Sequence, residues 1–361
     1  MSNEMPIKNK SLVIILGAGA SKEFGLPTGA ELTKNIAEAT NITFKDFGTL
    51  QSGDSTLAQT LNLFSERHHL KNKTPQELQQ AYRHIAAAMP QAISIDNFID
   101  NHREHENIAI CAKIAIVLSI LRAENASKLY FDERDPSNCL AFDRLQETWF
   151  HPFFQIATEL CSQVELETRL SQIAIISFNY DRCFEHHLKY SLQNYYGTSP
   201  QRAEELARMV DVYHPYGQIG FLPWQTKSGG IRFGESVQAM QLIQISKQLR
   251  TFTEGIDEER SDINNIRSVL EHARRIVYLG FAFHPINMDL LYPAPRNGGA
   301  LINNQKIYAT AIGIPGPDLD IVRSDLIKRA SVGSDHVFVE AREKCLDLMN
   351  SYRRSFSLTG S

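Results

Sequence analysis

The chain has 361 residues, 43% of them hydrophobic and 22% charged, with a formal net charge of −4. That length fits one large domain or two ordinary ones, and that balance belongs to a soluble globular protein. The slight acidity, with Lys and Arg scattered singly or in pairs such as Arg274 and Arg275, argues against nucleic acid or an anionic membrane as a partner.

Met1 to Lys10 is polar and lacks the apolar centre of a signal peptide. Leu12 to Leu16 then reads as a buried strand, five apolar and mostly β-branched residues in succession. Gly17, Ala18, Gly19, Ala20 and Ser21 follow without a bulky side chain, so backbone amides can approach a ligand and point at an anion where a helix begins. That is the build of a phosphate cradle at the end of a parallel strand. A short helix over Ala20–Phe24 is stopped by Gly25 and Pro27. Thr28 to Glu31 and Thr74 to Glu77 both fit a capping box, the second with proline at the first helical position.

From about Asn41 to Leu170 the periodicity predicts helices and no good strand: Gln76–Ala88, Ile95–His102, Ile108–Leu129 and Cys139–Leu160. The apolar run Ile108–Leu121 contains Lys113 and Ser119 and is too short and polar to span a bilayer, so it reads as a core helix. Its Ile108, Ile110, Ile114, Val117, Leu118 and Leu121 must be buried somewhere, in an oligomer interface or as a cover over a pocket. Strand signals return at Ile173–Phe178, Val210–Tyr213, Ile276–Leu279, Ile307–Ile314 and His336–Val339, and Asp262–Arg274 places Ile263, Ile266, Val269, Leu270 and Ala273 on one helical face. Strands alternating with helices indicate an α/β fold with a doubly wound, mostly parallel Rossmann-like sheet. The expected organisation is a nucleotide-binding domain made of residues 1–40 and 170–345, an all-helical insertion over 41–169, and a frayed C-terminal tail over 346–361.

Open parallel sheets bind ligands outside the carboxyl ends of their strands. Four predicted strands end in polar or glycine-rich residues: Gly17–Ser21, then Ser177-Phe-Asn-Tyr-Asp181, then Tyr213-His-Pro-Tyr-Gly217, then Gly280-Phe-Ala-Phe-His-Pro-Ile-Asn-Met-Asp289. In order and spacing this set resembles the sirtuin-like family, specifically its bacterial antiphage branch. The resemblance rests on Gly-Ala-Gly-Ala-Ser followed by Gly25-Leu-Pro27, on Phe-Asn-Tyr-Asp, on the His…Gly turn and on Gly-Phe-x-Phe. It covers the α/β parts and leaves the helical region unmatched.

The resemblance implies that NAD+ is the substrate and that the bond between nicotinamide and ribose is cleaved. It places Gly17, Ala18, Gly19 and Ser21 at the NAD+ phosphates, and Asn179 at the nicotinamide ribose and a water. Asp181 would fix that loop and the ribose. His214 would be the general base, with Gly217 in its turn, and Gly280 would let the adenosine half approach the backbone. Thr28-Gly29-Ala30 stands where the family's deacetylases carry Asp-Phe-Arg, the His-Gly pair is opened to His214-Pro-Tyr-Gly217, and the four-cysteine zinc module is missing. Hydrolysis of NAD+ therefore fits better than the alternatives, protein deacylation, ADP-ribosyl transfer or a non-catalytic sensor of NAD+ or an ADP-ribose derivative.

Cys111, Cys139, Cys161, Cys183 and Cys345 lie far apart with no Cys-x-x-Cys pair, so no zinc site or disulfide framework is expected, and the chain reads as cytoplasmic with reduced thiols. His186 and His187 cannot share one helical face, and His102 with His105 lacks a third ligand, so no metal is expected. Phe281, Phe283 and Met288 read as core and His284 as a pocket-rim residue. An NAD+-depleting enzyme needs control, which the family implies as a homo-oligomer or a separate sensor or ATPase encoded nearby.

Overall fold

A strand of five apolar residues has no polar face and must be covered on both sides, and Leu12–Leu16 (β1) is buried throughout in the structure, a computed structural model. The structure describes residues 10–45, 48–66, 73–135, 137–250, 262–292 and 304–359. The polar leader up to residue 9 and the last two residues of the expected tail lie outside these. Thr43–Lys45 (β2) and Thr49–Ser52 (β3) form a small antiparallel ribbon of their own. β1 pairs in parallel with Ile173–Ser177 (β4) on one side and Arg275–Leu279 (β6) on the other, once Asp211–Tyr213 (β5) has extended the sheet beyond β4. Lys306–Thr310 (β7) and Val337–Glu340 (β8) complete it.

The result is a six-stranded parallel sheet in the order β5-β4-β1-β6-β7-β8, the doubly wound α/β fold that the sequence predicts. The chain winds outward from β1 to one edge and then from β6 to the other. The topological switch point therefore lies between the carboxyl ends of β1 and β6, where such sheets hold their ligands.

The helices take the two faces. Along β1 the side chains alternate, Val13 and Ile15 entering one core and Leu12, Ile14 and Leu16 the other. On the first face lie Gly29–Thr40 (α2), Ser55–Glu66 (α3), Pro75–Ala88 (α4), Ile95–Asn101 (α5) and Glu106–Ala126 (α6). The second face carries Phe150–Thr158 (α7), Leu166–Ser171 (α8) and Cys183–Tyr196 (α9). The region expected as one insertion is thus split by the sheet, its first part in one core and its second part in the other. It is also not wholly helical. The β2–β3 ribbon is short, with Phe44 its largest apolar side chain and 39% exposed, so it carries none of the buried alternation by which a strand is read from sequence.

Both expected capping boxes form, Thr28 with Glu31 and Thr74 with Glu77. α6 is buried nearly all round: Ile114 and Val117 are fully enclosed, and Ile108, Leu118 and Leu121 are buried as well. Its apolar surface is consumed within this chain and leaves no demand for a second copy there. Among the described residues no helix is long and apolar enough to cross a membrane, and all five cysteines are unpaired.

The C-terminal segment is a correction to the expected frayed tail. Cys345–Ser351 and Arg353–Phe356 are helical, and Phe356 and Leu358 are buried in the second core beside Tyr308 and Tyr352. Glu23 ties this segment down: one carboxylate oxygen accepts from the Trp149 amide at the start of α7, the other from the Leu346 amide in the first turn of the C-terminal helix. Anchors this short, spread over single aromatic residues, leave no periodic pattern in the sequence. Phe356→Ala should cost about 3–5 kcal/mol of unfolding free energy, the usual result of emptying a buried aromatic site. Urea unfolding checks this, and a frayed tail would show no change.

Candidate active site

At the switch point two backbones touch without side chains between them. The Gly17 amide donates to the Leu279 carbonyl and the Gly19 amide to the Gly280 carbonyl, both at 3.0 Å. Gly280 has φ +57, and a Cβ there would lie 2.1 Å from the Ala20 nitrogen. Only glycine tolerates both the left-handed backbone and this approach. The expected roles therefore shift. The Cβ position of Gly280 is filled by the backbone of Gly19 and Ala20. Gly17, Gly19 and Ala20 spend their amides on carbonyls of the protein itself, where the short helix Ala18–Lys22 (α1) begins.

Ser21 turns inward instead of towards a ligand. Its hydroxyl donates to Asp181 Oδ2 at 2.7 Å and accepts from Asn179 Nδ2 at 3.1 Å. The second Nδ2 proton of Asn179 goes to the Gly17 carbonyl at 3.0 Å. Both partners are acceptors towards this group, which fixes the amide orientation and leaves Asn179 Oδ1 facing no donor among the described residues. Asp181 Oδ1 accepts from the Cys183 amide at the start of α9. Burial raises the Asp181 carboxyl above its usual range, against the pull of Ser21 and Cys183. Asn179, Ser21 and Asp181, which the sequence could only align by order, form one buried hydrogen-bonded chain.

His214 joins it from the loop after β5. Nδ1 lies 3.2 Å from the Asn179 carbonyl oxygen and Nε2 lies 2.9 Å from Glu185 Oε1. The Asn179 carbonyl can only accept from Nδ1, and Nε2 meets the Glu185 carboxylate as an ion pair when the ring is protonated. Burial works to lower the His214 pKa, yet the Glu185 carboxylate outweighs it and the net shift is upward. Burial likewise opposes ionisation of Glu185, and His214 with Arg182 pulls its carboxyl below the usual range. The ring of His214, expected as a general base, is engaged at both nitrogens within the protein. The ring is a strut that holds the Asn179 backbone against α9. Gly217, at φ +75, belongs to the same turn, and the position of its missing Cβ is 2.1 Å from the Gln248 carbonyl oxygen, so the packing there requires glycine.

Several functional partners are not visible from sequence motifs. Glu185 follows Asp181 by one helical turn, a spacing that could have marked it. Arg182 is fully buried and bonds both oxygens of the equally buried Glu124 of α6, while its remaining protons reach the Ile231 and Arg232 carbonyls. Glu124 also accepts from the Gly234 amide. No local signal in α6 marks Glu124 as the mate of a residue far along the chain. On the other wall of the crevice Tyr180 donates to Asp96 of α5, and Tyr216 donates to Asn287 at 2.7 Å. Phe178, Tyr216 and Phe281 pack edge to face beneath them.

The residues read as structural behave so. Phe281 and Met288 are buried, and Phe283 is half-buried with a left-handed φ of +52. His284 is half-buried and stands at the start of the helix Pro285–Leu291, where its side chain makes no capping hydrogen bond. His186 and His187 are neutral buried rings stacked on Phe233 and Phe150, each with its pKa pushed down to about 3 by burial. His102 and His105 have ring centroids 6.2 Å apart, and among the described residues no group of three or more His, Cys, Asp or Glu is placed to hold a metal ion.

The His214–Glu185 pair has a pH signature. The raised His214 titration contributes stability that is fully present below the ordinary imidazole range and is lost as pH rises from there through its raised folded-state value. The lowered Glu185 titration contributes stability that is present above the ordinary carboxylate range and is lost as pH falls from there through its lowered folded-state value. The stability gap between the native chain and His214→Gln should therefore peak between those ranges, at about 3–5 kcal/mol for a broken buried pair, and shrink on both sides. Urea unfolding across pH measures this gap, and a gap that is flat with pH would show that the two groups are not an ion pair.

No protein-family model matches the chain, and no curated protein matches it.

Proposed function

We propose that the chain binds NAD+ at the carboxyl edge of the sheet, across the ends of β1 and β4, and hydrolyses the bond between nicotinamide and ribose, as the sirtuin-like family it resembles does. The observation that carries this reading is the free acceptor on Asn179. Its two N–H groups are spent on Gly17 and Ser21, so the amide is locked and its Oδ1 is the group left for a donor at the carboxyl edge of the sheet. A ribose hydroxyl or an attacking water supplies such a donor. The loop after β1 stands beside this amide, which suits a dinucleotide lying across the ends of β1 and β4.

The chemistry asks little covalent help of the protein. The bond from the anomeric carbon to nicotinamide breaks with its electron pair, nicotinamide leaves neutral, and the positive charge passes to the ribose. A sugar held in one orientation and a developing positive charge facing buried carboxylates are what such a step needs. Asp181 supplies the negative charge close to Asn179, and the His214–Glu185 pair holds the loop in place. By the same resemblance the enzyme is an effector of bacterial antiphage defence that depletes NAD+, restrained by self-association or by a separate sensor or ATPase.

The engagement of both His214 nitrogens favours a second reading, a module that binds the dinucleotide without turning it over. Incubating the purified chain with NAD+ and separating the products by chromatography decides between them. Free nicotinamide supports hydrolysis, and NAD+ retained intact supports the module. In the first case Asn179→Ala should lower the rate by about 2–4 kcal/mol of transition-state stabilisation, the range for one preorganised polar group. Circular dichroism should show an unchanged fold, and a folded Asn179→Ala with undiminished nicotinamide release would reject the assignment.

A further inference from the structure

A cavity of about 220 Å³ is lined by the end of α6, by residues 130–134 that follow it, and by residues 232–236. Pockets for drug-sized ligands run to roughly 300–1,000 Å³, so an occupant here is small. The walls are fixed from below by the buried Glu124–Arg182 pair. Arg182 donates to the Ile231 and Arg232 carbonyls, and the Gly234 amide donates to Glu124 at 3.0 Å. Asn125 Nδ2 donates to the Gly234 carbonyl at 2.9 Å. Gly234 has φ +63, and a Cβ there would lie 2.7 Å from Asn125 Cα and 2.8 Å from Tyr130 Cδ2. One segment therefore rests directly on the other, and the cavity is the gap left between them.

The charges around this gap do not balance. Asp132, Glu133 and Glu235 face Arg134 and Arg232, three carboxylates against two guanidiniums. Both guanidiniums turn to Glu235, at 3.2 Å and 3.6 Å, and Glu235 also accepts from the Arg232 amide. Glu133, with its side chain 17% exposed, is left without one. It accepts from the Tyr190 hydroxyl, and Lys189, whose charge also reaches it, is paired with Glu204 at 3.1 Å. His186 Nδ1 stands 3.6 Å from Glu133 Oε1, beyond hydrogen-bond length, and that neutral ring spends its Nε2 proton on the Leu129 carbonyl at 3.2 Å. Tyr130, Phe131 and Phe233 supply aromatic surface around the same space. We propose that this cavity binds a small organic cation, an alkylammonium or a diamine, with its ammonium group on Glu133 and its carbons against the aromatic side chains. A half-buried carboxylate short of a cation gains a charge-assisted hydrogen bond from an ammonium, and aromatic faces attract the same charge. An anion would meet the surplus negative charge, and a bare metal ion would leave the aromatic wall unused.

The test is calorimetry on the full chain without NAD+, with putrescine as the probe. Saturable binding of putrescine is expected, and butane-1,4-diol, a neutral molecule of the same length, should not bind. Glu133→Gln should weaken putrescine binding by ~10-fold or more, the scale of a hydrogen bond to a charged group. Tyr130→Ala should weaken it by about two- to five-fold, the scale of an exposed cation–π contact. Tyr130 is 36% exposed, so its removal spares the core, and this arm serves should Glu133→Gln fail to fold. Absence of saturable putrescine binding overturns the proposal, and so does unchanged affinity in either folded variant. Displacement of putrescine by an equal concentration of potassium ion would show a site for any cation and overturn the organic assignment. Nicotinamide release is not part of the measurement, so this result and the hydrolase reading stand or fall separately.

Discussion

The close approach of Gly19 to Gly280 is the constraint on which the site depends. A Cβ on either residue would force the loop after β1 away from the end of β6. The Gly17 carbonyl and the Ser21 hydroxyl would move with that loop, and those are the two groups that orient the Asn179 amide. Asn179 in turn presents the carbonyl that His214 grips, and His214 carries Glu185. Two side chains of zero size therefore set the register of a polar chain that crosses three strands.

Four consecutive residues after β4 divide the work by direction. Asn179 points to the α1 loop, Tyr180 to α5, Asp181 back to Ser21, and Arg182 to Glu124 of α6. A short loop is thus bonded to the elements around it, which limits its freedom without a disulfide or a metal. The cost is the desolvation of several charges. It is met by compact pairing, because each buried carboxylate has at least two donors or a cation: Asp181 has Ser21 and the Cys183 amide, Glu185 has His214, and Glu124 has Arg182 with the Gly234 amide.

How much of this was legible in the sequence follows from the range of each interaction. The parallel strands announce themselves as apolar runs, and both capping boxes lie within four residues, so local physics was enough. The glycine-rich loop was legible as a site of close approach, but what approaches it was not, since Gly19 and Gly280 meet only after the sheet has closed. His214 was legible as a titratable residue at a strand end. Its state was not, because that depends on Glu185 and on a backbone carbonyl from another loop. The β2–β3 ribbon and the C-terminal helices were missed for a related reason: the first has almost no buried face, and the second is anchored by Phe356, Leu358 and the distant Glu23 carboxylate.

The Glu124–Arg182 pair has a consequence for how this protein can be divided or can have evolved. α6 cannot be an accessory bolted onto a finished α/β domain, because removing it strands a guanidinium in the interior. An uncompensated buried charge of that kind costs about 3–5 kcal/mol, against a total of about 5–15 kcal/mol for an ordinary domain. The helical region and the sheet are therefore one cooperative unit, and a lineage could exchange the exposed loops around α6 far more readily than the helix itself.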